Sequence, residues 1–182
     1  MEHYYLNIQG YFNFQLLYDE MVEKLPSGSH FVEVGSWLGM SAIYLGVQIV
    51  NSGKDIKLDC VDNWTGSPEL AEEDAIKNGT LYKDFLKNIE PLRKIIKPIR
   101  ENSFDAADFY EDESLDVVYI DANHTAEYFK KDLWAWYPKV KIGGIVSGHD
   151  YDYPGIKSEL GIFFPTRDFE IRPCSSWVHY KK

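Results

Sequence analysis

Phe31-Val32-Glu33-Val34-Gly35-Ser36-Trp37-Leu38-Gly39-Met40-Ser41, running on into Ala42 to Val50, decides how the whole chain is read. A short run of β-forming residues breaks at Gly35 and restarts with apolar residues at helical spacing, which predicts strand, tight turn and helix. Such a turn is a common nucleotide site in α/β proteins. Gly35 lets a backbone come close to a ligand, and Ser36 offers a hydroxyl or caps the helix whose free N–H groups point into the turn. The glycine spacing departs from G-x-G-x-x-G, and no Gly-Lys-Ser/Thr follows, so a diphosphate ligand is disfavoured.

Downstream, Asn51-Ser52-Gly53-Lys54 reads as a turn and Ile56 to Val61 as a second strand that ends at Asp62. A right-handed crossover of this length puts Gly35 and Asp62 at neighbouring strand ends, where open α/β sheets bind ligands. A carboxylate at that point can accept both hydroxyls of a ribose. Glu33, within an apolar strand, is either a ligand contact or a buried, paired core acid. Ile95 to Ile99 predicts a third strand, followed by Ser103, which can also cap a helix over Phe104 to Tyr110. The continuously apolar Leu115 to Ile120 suits the centre of a parallel sheet and ends at Asp121. A helix over Thr125 to Tyr137, a strand over Ile142 to Ser147 ending at Gly148-His149-Asp150, and a helix over Pro154 to Phe163 complete this part.

Upstream, Phe12, Leu16, Leu17, Met21, Val22 and Leu25 recur at helical spacing before Pro26-Ser27-Gly28, so residues 1–27 read as a helical cap on the sheet. Packing beneath that helix is the simpler reading of Tyr4, Tyr5, Tyr11 and Phe12; a substrate lip or a dimer contact is the alternative. Trp64 to Asn78 is an acidic loop longer than its connection needs, which makes residues 63–80 a possible lid, with Glu69, Glu72, Glu73 and Asp74 as a solvated face. A helix over Leu81 to Leu92 follows.

Glu33-x-Gly35-Ser36-x-x-Gly39, with Asp62 closing the next strand, resembles the S-adenosylmethionine site of class I methyltransferases. From Ile8 to Leu160 the chain is similar to small members that methylate hydroxyl groups, often on sugars. Val61-Asp62-Asn63-Trp64-Thr65-Gly66, Ile120-Asp121-Ala122-Asn123-His124-Thr125 and Gly143-Gly144 through Gly148-His149-Asp150-Tyr151 carry that likeness. It implies one Rossmann-like, doubly wound α/β domain over residues 1–182 with about seven strands. Most are parallel, and Phe169 to Arg172 with Trp177 to Tyr180 supply an antiparallel C-terminal pair. It also implies S-adenosylmethionine as cofactor, held by Glu33, Gly35, Ser36, Trp37 and Asp62, with Asn63, Trp64, Ser103 and Asp121 beside them.

An alcohol is a poor nucleophile at neutral pH and needs a general base, a metal, or both. In similar sugar methyltransferases, positions matching Asp121, His149 and Asp150 hold magnesium, and the position matching His124 is the proposed base, next to Asp121. Histidine at 149 suits a softer divalent cation better. The helix that begins after His124 turns its positive end toward the imidazole and should keep it neutral. Trp64, Tyr128, Tyr151 and Tyr153 stand near these strand ends; packing is the simpler reading of each, and stacking on a ring the other. Trp134 and Trp136, inside a helix, read as structural.

Composition narrows the partners. With 182 residues and 45% hydrophobic content the chain can build a full core. A formal charge of −10 opposes a polyanionic partner, so neither nucleic acid nor an anionic membrane is expected. Two cysteines, Cys60 and Cys174, are too few for a disulfide framework, and the start of the chain lacks a basic, then apolar, leader. A cytoplasmic enzyme acting on a small hydroxylated acceptor, a saccharide first, is the expectation, with a homo-oligomer left open. Its rivals are a nicotinamide-dependent oxidoreductase, a non-catalytic S-adenosylmethionine-binding domain, and other metal chemistry on the same fold.

Overall fold

A computed structural model of the protein describes residues 1–66 and 73–182. Glu69 and Glu72, and the middle of the possible lid, lie outside the described residues. The strands are β1 (His30–Val34), β2 (Lys57–Asp62), β3 (Ile96–Arg100), β4 (Leu115–Ile120), β5 (Val140–Gly148), β6 (Glu170–Arg172) and β7 (Ser176–Tyr180). They form one sheet in the order β3-β2-β1-β4-β5-β7-β6. β1 to β5 pair in parallel, whereas β7 runs antiparallel to both β5 and β6. The predicted α/β architecture, with its antiparallel C-terminal strand, is therefore the one observed.

Helices cover both faces, as an apolar parallel sheet requires. α1 (Gln15–Lys24), α2 (Met40–Ser52) and α4 (Leu81–Asn88) belong to the face whose core holds Phe31, Leu58 and Tyr119. α5 (Ala126–Trp136) and α6 (Pro154–Phe163) cover the other, packed on Val34, Val118 and Val146. Among the described residues of the lid segment, a short helix, α3 (Asp74–Lys77), precedes α4. Among the described residues no helix is long and apolar enough to cross a membrane.

Three predicted helices come out differently; the one expected over Leu81 to Leu92 ends as α4 at Asn88 and is followed by a 3-10 turn, Glu90–Leu92. α1 starts three residues later than expected, because Phe14 is buried as the residue before its first turn. Rotating the helix accordingly puts Tyr18 inside, fully buried, and leaves Leu16 78% exposed. Beyond β3 the expected helix is only a 3-10 turn, Asp105–Phe109, which buries Ala106 and Ala107. That apolar face is too small to stabilise more.

The sheet order reverses between β1 and β4, and the crevice at that switch point is where the site forms. Register decides what enters it. Val34 lies beside both Val61 and Ile120, and Ile120 beside Gly148. The residues that follow, Gly35, Asp62, Asp121 and His149, therefore emerge on one edge.

Candidate active site

Gly35 is the hinge of this edge. Its φ is +92°, and a Cβ there would stand 2.1 Å from the carbonyl oxygen of Asp121. The glycine is thus required by the neighbouring strand end as well as by its turn. Two cavities adjoin across Gly35, Trp37, Asp121 and Ala122.

The first, of about 170 Å³, is lined by Asp62, Asn63, Asn102, Ser103 and Tyr128. Asp62 organises it. One carboxylate oxygen accepts the backbone N–H of Trp37 at 2.9 Å and the other that of Trp64 at 2.7 Å. Both tryptophans have left-handed backbones, φ 47° and 52°, which cost bulky residues energy unless something holds them. Here the Asp62 carboxylate does, and the Trp64 indole adds a bond to the carbonyl of Trp37 at 2.8 Å. Burial raises the Asp62 pKa, opposed by these N–H donors and that of Ser36. Asn63 repeats the device one residue on, accepting from the amide of Thr65 at 2.9 Å.

Several expected contacts fall elsewhere. Trp64 is only 4% exposed and packs on Tyr82 and Phe85, so its ring belongs to the core and lines neither cavity. Ser36 does not cap α2, whose cap position is Gly39; its hydroxyl donates to Glu33 at 2.8 Å. Glu33 in turn is a buried hub that also accepts from Tyr18 at 2.8 Å, and it lines neither cavity. Burial lifts its pKa to about 7, against hydrogen bonds from Ser41, Ser36 and Tyr18. Tyr18 escaped the sequence reading because its partner is fifteen residues away on another element. Ser103 does line the first cavity, but Phe104 occupies the cap position of the following turn. The Ser103 carbonyl accepts the indole N–H of Trp136 at 2.9 Å. Behind it Asp132 is fully buried, its carboxyl pushed up to about 7 by burial and opposed by the Ser103 hydroxyl.

The second cavity, of about 500 Å³, has Asp121, His124 and Asp150 in its wall. Single ligand atoms from these three side chains all lie within 4.8 Å of one another. His124 Nε2 is 2.8 Å from Asp150 Oδ2 and 3.9 Å from Asp121 Oδ1. Hydrogen bonding to Asp121 and Asp150 lifts its pKa to about 10, although burial opposes it. The imidazole is therefore charged at neutral pH, contrary to the expectation from the helix dipole. Two carboxylates, one at 2.8 Å and the other at 3.9 Å, outweigh a partial charge at a helix end. Burial would raise the Asp150 pKa, but His124 and His149 overcome it and hold this carboxyl well below the usual range.

His149 does not join that cluster. Its Nδ1 is 3.1 Å from Asp150 and its Nε2 is 3.0 Å from Asn13 Oδ1, so both ring nitrogens are engaged. The convergent trio is Asp121, His124 and Asp150, in place of the expected Asp121, His149 and Asp150. Of the aromatic candidates, Tyr128 lines the first cavity and Tyr153 the second, while Tyr151 packs on Phe169. Trp136 is buried, whereas Trp134 is 59% exposed against Phe163.

Residues 32–151 match the family described as Methyltransferase domain. A curated relative, the uncharacterized protein y4gI of Sinorhizobium fredii, is 27% identical over 121 residues, which are 65% of this chain and 13% of that protein. The chain thus spans a small part of the relative it matches. The O-methyltransferase NovP superposes with a TM-score of 0.71 at 18% identity, covering 92% of this chain and 79% of that one. SMU.1697c of Streptococcus mutans, a putative methyltransferase in complex with S-adenosylhomocysteine, gives 0.61 at 11% identity, covering 93% and 97%. A putative rRNA-methylase of Clostridium thermocellum gives 0.61 at 13% identity, covering 93% and 96%. At these identities the solved structures establish a shared fold.

Proposed function

This chain belongs to the methyltransferase domain family, and from that premise we propose that it moves a methyl group from S-adenosylmethionine to a hydroxyl oxygen of a small acceptor, a saccharide first. The observation that carries the proposal is the meeting of Asp121, His124 and Asp150 in the wall of a second cavity, across Gly35 from the one organised by Asp62. A domain that merely bound the cofactor would not need three ionisable groups there. The first cavity suits a nucleoside: amide, hydroxyl and carboxylate groups on Asn63, Ser103 and Asp62, an aromatic face on Tyr128, and, among the described residues, no cationic residue for a diphosphate.

S-adenosylmethionine supplies an electrophilic methyl on a sulfonium, so the protein's work is alignment, exclusion of water and removal of one proton. At neutral pH His124 already holds a proton between two carboxylates. It serves as the base only after giving that proton up, which a higher pH or a cation seated among the same three side chains would favour. A divalent cation fits Asp121, His124 and Asp150 and would acidify the acceptor hydroxyl. The imidazole donor favours a transition metal over magnesium. Nε2 cannot bind a cation and accept a proton at once, so base and metal ligand are competing roles for His124. The net charge of −10 favours a small neutral acceptor over a polyanion.

The test combines calorimetry of S-adenosylhomocysteine with single-turnover methyl transfer to a panel of monosaccharides and catechols, with and without chelator. His124→Gln is expected to lower the rate by about 10²–10⁴-fold and leave cofactor affinity nearly unchanged. Failure of the unmutated protein to bind S-adenosylhomocysteine refutes the cofactor assignment. An unchanged rate in the variant removes His124 from the chemistry, and full activity after exhaustive chelation removes the metal.

A further inference from the structure

The outer wall of the second cavity comes from a segment remote in sequence from the strand ends, Gly10 to Asn13, just ahead of α1. Two residues fasten it. The ring of Phe12 packs against Tyr5, Phe14 and Tyr44 with centroids 5.6, 4.7 and 5.1 Å away. The Asn13 side chain meets His149 Nε2 at 3.0 Å. Between them Tyr11 lines the cavity yet stays 86% exposed, a large aromatic side chain that adds little to the fold. Tyr153, in the same lining, is 46% exposed, its ring centroid 4.8 Å from that of His124. Aromatic faces kept this open beside a polar floor suit a ring with one apolar face and several hydroxyls.

Charge limits the ring further. Asp121 and Asp150 are the acids of this lining, no lysine or arginine belongs to it among the described residues, and both its histidines already face Asp150. In the metal-free protein an anionic group entering here would give up water without gaining a free cation. We propose that residues 10–13 form the acceptor-recognition wall, in which Tyr11 stacks on an uncharged, hydroxyl-bearing ring and phosphorylated forms of that ring are turned away. The inference rests on the proposed function, since it takes this cavity as the acceptor's.

Saturation-transfer NMR on the protein in the presence of chelator tests it, with phenyl β-D-glucopyranoside and its 6-phosphate as probes, run with and without S-adenosylhomocysteine. The neutral glycoside is expected to show transfer, and the 6-phosphate to bind at least about tenfold more weakly, having lost water without a partner. Tyr11→Ala should weaken the glycoside on the order of tenfold, as loss of a ring contact does, and Tyr11→Phe should keep it. Because Tyr11 is so exposed, neither variant should unfold, and S-adenosylhomocysteine affinity should stay unchanged. Equal glycoside binding by Tyr11→Ala, equal binding of the phosphate, or no transfer to the unmutated protein would each overturn the inference. Cofactor titration of the same samples judges the proposed cofactor separately, so failure of the inference and failure of the reading it rests on are distinguishable.

Discussion

The two cavities share a wall but are built on opposite principles. Around the first, polar groups are spent on the protein's own backbone: the Asp62 carboxylate takes the amides of Trp37 and Trp64, and Asn63 that of Thr65. Around the second, side chains meet side chains, with His124 between carboxylates and His149 strung between Asp150 and Asn13. A neutral nucleoside can be held by a rigid loop that offers leftover lone pairs. Proton removal needs charges close enough to shift one another. The comparison separates a surface for binding from a surface for chemistry.

The harshest way to break that division is at the residue both halves share. Gly35→Ala would force a Cβ to within 2.1 Å of the Asp121 carbonyl at a φ of +92°. Overpacking and strain together should cost about 3 kcal/mol or more. Melting should drop on the order of 6–12 °C, at about 2–4 °C per kcal/mol for a chain of this size. Scanning calorimetry checks this, and an unchanged melting temperature would mean that the two strand ends are not in such contact.

A gentler change should strike one half alone. Asp62→Asn keeps the shape but gives one of the two amides an N–H to face in place of an acceptor. S-adenosylhomocysteine affinity is expected to fall by roughly 1–3 kcal/mol, the penalty for buried polar groups left unpaired. Asp150→Asn, by contrast, should leave that affinity nearly unmoved in isothermal titration. Similar losses in both variants would erase the distinction between the cavities.

The smallest effect concerns pH, and the buried acids behind the cavities should separate from the cluster in the second cavity along its axis. Glu33 is raised from 4.5 to about 7, and Asp132 from 3.8 to about 7, both chiefly by burial. A folded state that binds more protons than the unfolded one loses stability as pH rises, so their contribution should fade up to about pH 7. His124 is raised from 6.5 to about 10 by Asp121 and Asp150. Its share is fully present below pH 6.5 and lost as pH climbs toward 10. Melting temperature should therefore decline in two segments, by a few degrees each. Glu33→Gln combined with Asp132→Asn should flatten the first segment and His124→Gln the second; one of these changes flattening both would show a single coupled network.

Much of this was legible in the residues. Gly35, Asp62, Asp121 and Asp150 were placed on one edge by strand ends, and the glycine before a left-handed turn announced itself. Glu33 was left open between a ligand contact and a paired core acid, because alternation along a strand says that a side chain is buried, not what it faces; its hydrogen bonds from Tyr18 and Ser36 favour the core acid, while Ser36 itself lines the second cavity. For Trp64 packing was the simpler reading and only the resemblance set it beside the cofactor; its ring is buried in the core, on a residue with a left-handed backbone. The exchange of His149 for His124 in the acidic cluster could not be seen from spacing. Both lie within a residue or two of a strand-end turn, and only the position of Asn13, brought in by the N-terminal segment, draws one imidazole away.

By itself, the sequence determined the sheet and the edge on which chemistry gathers, because periodicity, glycine turns and strand ends act over a few residues. Tertiary structure alone decided which groups on that edge touch, and hence that the His124 pKa is raised and that Tyr11 stands open at the second cavity. Electrostatic coupling depends on distances of a few ångströms between elements far apart in the chain, and those distances exist only once α1, β4 and β5 have packed.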